Sequence, residues 1–314
     1  MTRFLMVGAG ALGGYFGGRL LQAGEDVTFL VRARRAQQLR QTGLVIRSAF
    51  GDATIEHPPL VRSEDIDGHY DVVIVGCKAY DLPATIESFA PAVGPGTVII
   101  PVLNGLRHLD ELGRRFGADR VLGGLCMISA VLDDAGRVIH LNDLHALNFG
   151  ETGGGRSARV DAIGQAFARA NFQHHVSEDI LQAMWEKWVF IASLAGMTCL
   201  MRASVGDIVQ AGGKDIAARL VDECAAIAAH QGHAPSSAAL ARNKAALASA
   251  GSTLTASMLK DMERGLRIEA DQIISDLLRR APESASFDTL RTVQAHLLAY
   301  EARRARESKE GAGQ

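Results

Sequence analysis

Arg3-Phe4-Leu5-Met6-Val7-Gly8-Ala9-Gly10-Ala11-Leu12-Gly13 stands near the start of the chain, and its reading decides the fold. Phe4 to Val7 is a short apolar run that predicts a buried strand. Gly8 to Gly13 has the G-x-G-x-x-G spacing, and Leu12, Phe16, Leu20 and Leu21 follow it at helical spacing. Strand, tight turn and amphipathic helix in that order predict a dinucleotide-binding unit. The first glycine permits the turn, the second lets backbone approach a pyrophosphate, and the third lets helix and strand pack closely. The phosphates would lie at the helix N-terminus. Gly8, Ala9, Gly10, Ala11, Leu12 and Gly13 are therefore candidate cofactor-binding residues, and Gly24 is placed to end the helix. Arg3 followed by uncharged Phe4 to Gly18 superficially resembles a signal peptide, but the glycine spacing argues for the turn.

Working outward, apolar runs recur between turn residues at Val27 to Val31, Val72 to Val75, Val98 to Leu103, Val121 to Ile128 and Leu147 to Phe149. They predict buried strands alternating with helices, a mostly parallel, doubly wound Rossmann-type α/β domain over residues 1–176. From Ser177 the pattern turns helical and rich in Ala, Leu and Met, which predicts an all-α second domain over 177–314. Glu301 to Gln314 is charged, then Gly/Ala-rich, and is expected to fray (301–314).

An NAD enzyme carries an acid about 20 residues past the glycines for the ribose 2′-hydroxyl. Here the second apolar run ends on Val31-Arg32, 19 positions after Gly13. A guanidinium there suits a 2′-phosphate and points to NADP(H). Arg34 and Arg35 either add positive potential or are solvated loop residues. Ligands of open parallel sheets gather at the carboxyl ends of strands, where Lys78 and Asn104 close two of the runs. A surface lysine and a turn asparagine before Gly105 are the plainer reading of that pair.

With 33 Lys+Arg against 35 Asp+Glu, the net charge of −2 gives no field for nucleic acid or an anionic membrane. The longest uncharged run, Ser88 to Leu106, is broken by three prolines, so no membrane span is expected. Four widely spaced cysteines, without C-x-x-C, predict reduced thiols, no metal site and a cytoplasmic protein.

In Asp179 to Met201 apolar residues at helical spacing surround Lys187. Desolvation there would lower its pKa toward the range of a general acid, unless the side chain snorkels at a domain edge. Farther on, Ser257 and Glu269 offer a hydroxyl and a carboxylate 12 positions apart. One straight helix would hold them about 18 Å apart. Joint action therefore needs a break, and Gly265 is the candidate.

Together, Gly8 to Gly13, Arg32, Lys78, Asn104-Gly105, Trp185-x-Lys187, Ser257-Met258-Leu259-x-Asp261 and Glu269 resemble the ketopantoate reductase (2-dehydropantoate 2-reductase) family from about residue 1 to 300. The resemblance implies a Rossmann domain and a helical domain with the active site in the cleft between them, and NADPH-dependent reduction of a 2-oxo acid in pantothenate biosynthesis. It implies that Arg32 and Lys78 hold the 2′-phosphate and that Asn104 sits near nicotinamide and substrate. Lys187 would be the general acid, and Ser257 and Glu269 would bind polar groups of the substrate. The family usually carries asparagines one and two turns after the lysine; here they are Ile191 and Ala195, an apolar pocket wall. Thr-Glu-Ile-Asp becomes Ile268-Glu269-Ala270-Asp271. A more apolar 2-oxo acid is thus the rival substrate, and a non-catalytic NADP sensor the rival of another class. The Ala-rich helices are compatible with a homodimer.

Overall fold

Period-two alternation splits the first strand between two cores. Phe4 and Met6 belong to one buried cluster and Leu5 and Val7 to the other, as a strand covered on both faces requires. The structure, a computed structural model, describes residues 2–312. By contacts the chain forms two units, Met1–Leu181 and Gln182–Gln314.

The first unit holds a parallel sheet of β1 (Arg3–Val7), β2 (Asp26–Leu30), β5 (Leu60–Val61), β6 (Val72–Val75) and β7 (Val98–Pro101), in the order β5-β2-β1-β6-β7. Val7 pairs with Leu30 and with Val75, and Val75 with Pro101, so the carboxyl ends lie level. One face carries α3 (Leu82–Phe89) and α4 (Arg107–Phe116), whose Leu82, Ile86, Phe89 and Leu112 pack on Leu5, Val73 and Val75. The other carries α1 (Ala11–Gln22) and α5 (Ala158–Phe167). Helix α2 (Ala33–Thr42) follows β2, so Arg34 and Arg35 are helical residues rather than loop residues.

A second sheet contains β3 (Leu44–Arg47), β4 (Ala53–Ile55), β8 (Leu122–Leu132), β9 (Val138–Glu151) and β10 (Gln173–Val176), in the order β10-β9-β3-β4 with β8 on β9. Of the runs Val121 to Ile128 and Leu147 to Phe149, read from sequence into the parallel sheet, Val121 bridges in parallel to Ile99 of β7, whereas Leu122 to Ile128 and Leu147 to Phe149 belong to an antiparallel hairpin. Only residues 133–137 separate its strands, far fewer than a parallel crossover needs. Helix α1 fills the space between the sheets. A Cβ on Gly17 would fall 2.6 Å from Phe29 of β2, and one on Gly18 2.7 Å from Ile46 of β3.

In the second unit α6 (Ile180–Met201) lies close to α8 (Lys214–His230), because Gly196 leaves room for Leu220. Buried Ser193 and Thr198 return their hydroxyls to carbonyls one turn back. Helices α7 (Val205–Gln210), α9 (Ser237–Leu247), α10 (Ser257–Glu263), α11 (Asp276–Arg279) and α12 (Asp288–Ala312) complete it. Glu223 of α8 accepts from the amides of Thr289 and Leu290 and so caps α12. The stretch expected to fray continues α12 as helix to Ala312; Gly313 and Gln314 lie outside the described residues. Its charges pair along the helix, Arg303 with Glu307 and Arg306 with Glu310, each four residues apart. Among the described residues no helix is long and apolar enough to cross a membrane.

Candidate active site

The turn after β1 has the geometry that its glycines prescribe. Gly8 has φ +91°, in the region that disfavours side chains, and its amide extends the sheet by donating to the Leu30 carbonyl at 2.9 Å. A Cβ on Gly13 would lie 2.1 Å from the Gly8 carbonyl oxygen, so the turn closes only over glycine. A Cβ on Gly10 would meet nothing within 4 Å. Nothing in the chain therefore demands glycine at position 10, whereas a bound group approaching the backbone would. Gly10 is also the N-cap of α1; no side chain caps that end and its first turn holds no acid. The first amides of α1 are thus left to an anion. These features fit a dinucleotide pyrophosphate.

The level carboxyl ends of the sheet bring the other sequence-picked residues of this unit to the same edge. Arg32, exposed, leaves β2 as the N-cap of α2. Lys78, half-buried, leaves β6 as the N-cap of a single 3-10 turn, Ala79–Asp81. Asn104, half-buried, lies between β7 and α4. Arg35 is half-buried against the turn, its Nε donating to the Ala9 carbonyl at 3.0 Å. Burial pushes its guanidinium below the ordinary arginine range.

In the second unit Lys187, Ile191 and Ala195 recur every four residues along α6 and so share a face. Lys187 and Ile191 are half-buried and Ala195 is buried. Beside them Trp188 anchors the helix, donating from Nε1 to the Ile273 carbonyl at 2.9 Å. Exposed Ser257 is the first residue of α10. The helix ends at Glu263, Gly265 takes φ +68°, and the non-helical stretch Leu266–Ile268 leads to half-buried Glu269. The break needed between Ser257 and Glu269 is therefore present at Gly265. Beyond it the chain re-enters helix through a wide π-type turn, Asp271–Ser275.

Two residues missed in the sequence hold this break. Tyr300 of α12 donates its hydroxyl to the carbonyls of Met262 (3.2 Å) and Leu266 (2.8 Å). Glu301 accepts from the Ile268 amide at 2.8 Å. They lie more than 30 residues away along the chain, and no local motif marks them. Burial pushes the Cys199 and Cys224 thiols up to about 12, so both are inert as nucleophiles.

A family model described as "Ketopantoate reductase PanE/ApbA" matches residues 4–154, and its C-terminal counterpart matches residues 179–300. The chain is 39% identical over 302 residues to "Uncharacterized oxidoreductase YkpB" of Bacillus subtilis, covering 96% of this chain and 99% of that one. It is 27% identical to the 2-dehydropantoate 2-reductase of Archaeoglobus fulgidus, over 90% of this chain and 92% of the other. Among solved structures, 2-dehydropantoate 2-reductase from Geobacter metallireducens superposes with a TM-score of 0.86 at 28% identity, covering 95% of this chain and 99% of that one. D-mandelate dehydrogenase, 19% identical with a TM-score of 0.86 and covering 97% and 99%, shares the fold. With both halves matched in order and the strand, turn and helix signature in place, the chain belongs to the ketopantoate reductase family of oxidoreductases.

Proposed function

We propose that the protein reduces 2-dehydropantoate (ketopantoate) to pantoate with NADPH. The observation that carries this reading is the single sheet edge that gathers the glycine turn, Arg32, Lys78 and Asn104. The amides of Gly8 to Gly13 hold the pyrophosphate, and Arg32 with Lys78 holds the 2′-phosphate. A cation stands at the end of β2 where selectivity for NAD would need an acid. Asn104 orients the reacting end. The nicotinamide, when bound, supplies the hydride that reduces the carbonyl carbon.

In the second unit, Lys187 holds a proton at Nζ for the substrate's carbonyl oxygen as negative charge develops there. Ser257 donates to the substrate carboxylate, and Glu269 accepts from its hydroxyl. A second reading, a more apolar 2-oxo acid, is favoured by half-buried Ile191 and buried Ala195, which offer no hydrogen bond to a hydroxylated substrate. Specificity of that kind comes from paired buried polar groups.

Steady-state NADPH oxidation with ketopantoate, beside 2-oxo acids that carry larger apolar side chains and no hydroxyl, decides between them. A large kcat/KM advantage for ketopantoate supports the first reading, and an advantage for an apolar acid the second. Tight NADPH binding with no turnover across the panel would replace both with a non-catalytic NADP sensor.

A further inference from the structure

Arg35, the third residue of α2, is built into the glycine turn from outside it. Its Nε reaches across 26 positions of sequence to the Ala9 carbonyl at 3.0 Å, and its Nη1 donates to Gln38 Oε1 at 2.7 Å. Gln38 donates in turn to the Ala135 carbonyl at 3.0 Å, so the guanidinium is oriented from the loop that joins β8 to β9. Gly136 in that loop makes the fit possible, since a Cβ there would fall 2.5 Å from Arg35 Nη1. The remaining nitrogen, Nη2, is enclosed without a hydrogen-bond acceptor. Among the described residues no carboxylate lies within 4.0 Å of this guanidinium.

A cation drawn partly out of water without a counter-charge is unfavourable, and a backbone carbonyl offsets only part of the cost. The chain nevertheless holds Arg35 against the carbonyl of the residue between Gly8 and Gly10. We propose that Arg35 is a positioning residue for the dinucleotide pyrophosphate: its planar fork holds the Ala9 carbonyl back so that the turn's amides stay turned to the anion, which supplies the missing counter-charge. This inference rests on reading the turn as a dinucleotide site. It also divides the labour between two arginines. Arg35 serves the pyrophosphate, which NADPH and NADH share, and Arg32 serves the 2′-phosphate, which only NADPH carries.

The experiment is a fluorescence titration of the full-length protein with NADPH and with NADH, for wild type, Arg35→Ala, Arg35→Lys, Gln38→Ala and Arg32→Ala, with circular dichroism to check folding. Arg35→Ala is expected to raise both Kd values by the same factor, about tenfold or more, as for loss of a charge-assisted contact. The NADPH to NADH ratio then stays at its wild-type value, whereas Arg32→Ala changes it. Arg35→Lys keeps the charge but cannot fill the Nε and Nη1 positions together, so it recovers little. Gln38→Ala leaves the charge in place and shifts both Kd values in the same direction by a smaller factor.

Selective loss of NADPH in Arg35→Ala would move the residue to the 2′-phosphate and overturn the proposal. Full rescue by lysine would reduce its role to charge alone and overturn the positioning claim. If Arg35→Ala and Gln38→Ala bind both dinucleotides as wild type does, the inference falls while the functional reading stands. Wild-type protein that binds neither dinucleotide would remove both.

Discussion

A Cβ on Gly13 would overlap the Gly8 carbonyl, whereas one on Gly10 would meet nothing within 4 Å beyond its immediate neighbours in the chain. The two substitutions therefore separate folding from binding. Gly10→Ala is expected to keep Tm within about 2 °C of wild type, because surface changes of this kind cost roughly 0.5 kcal/mol or less. The same variant should lose dinucleotide affinity, because the methyl group stands where the pyrophosphate must approach. Gly13→Ala should lose both, through displacement of the turn. Calorimetry and dinucleotide titration on the pair test this, and unimpaired binding by Gly10→Ala would remove the pyrophosphate from this turn. Lys187 invites a parallel test on α6. As the proton donor its replacement by alanine should lower kcat by about 10²- to 10⁴-fold, while NADPH affinity barely moves. Retained turnover would exclude it from the chemistry.

At the scale of elements, residue types with strong local consequences were legible and long-range anchors were not. The strand β1, the turn and α1 could be read because glycine spacing and apolar periodicity act within a few residues. The break at Gly265 could be read because only a non-helical residue lets Ser257 and Glu269 act together. What fixes that break lay outside local reach: Glu301 sits 33 residues from Ile268, in a stretch whose composition suggested fraying. Its carboxylate holds the Ile268 amide next to Glu269, so the start of the supposed tail is part of the support of the candidate site. Glu301→Ala should cost about 1.5 kcal/mol of stability and raise KM for the 2-oxo acid several-fold, with NADPH affinity unchanged. Glu301→Gln, whose amide oxygen still accepts, should restore KM. An unchanged KM in Glu301→Ala would detach α12 from the placement of Glu269.

At the scale of the molecule, the parallel sheet and the helical half were legible in the chain, whereas the antiparallel pairing of β8 with β9 was not, because a buried run looks alike in parallel and antiparallel sheets. That second sheet brings histidines into the core, which composition alone did not foretell. His145 of β9 is buried, accepts from or donates to the Tyr15 hydroxyl through Nδ1 at 2.8 Å, and stacks on Phe50 with ring centroids 3.8 Å apart. Burial first, then His140 and Arg19, push its pKa below the ordinary imidazole value of 6.5. Burial, and then His175, push His174 of β10 down as well.

A depressed histidine pKa means that the unfolded chain binds protons which the folded chain refuses, so stability must fall as pH drops from about 6.5 toward the folded values and level off below them. The carboxylate Glu151, held down chiefly by its bond from Arg159, adds its own loss only below the ordinary carboxylate value of 4.5. Thermal unfolding between pH 7.5 and 5.5 thus isolates the histidines, and Tm should decline with acidity across that range. His145→Gln, which keeps a polar group for Tyr15 and removes the titration, should flatten the decline even though its Tm at pH 7.5 is lower. An equally steep decline in that variant would assign the acid sensitivity to groups other than the buried ring between α1 and the second sheet.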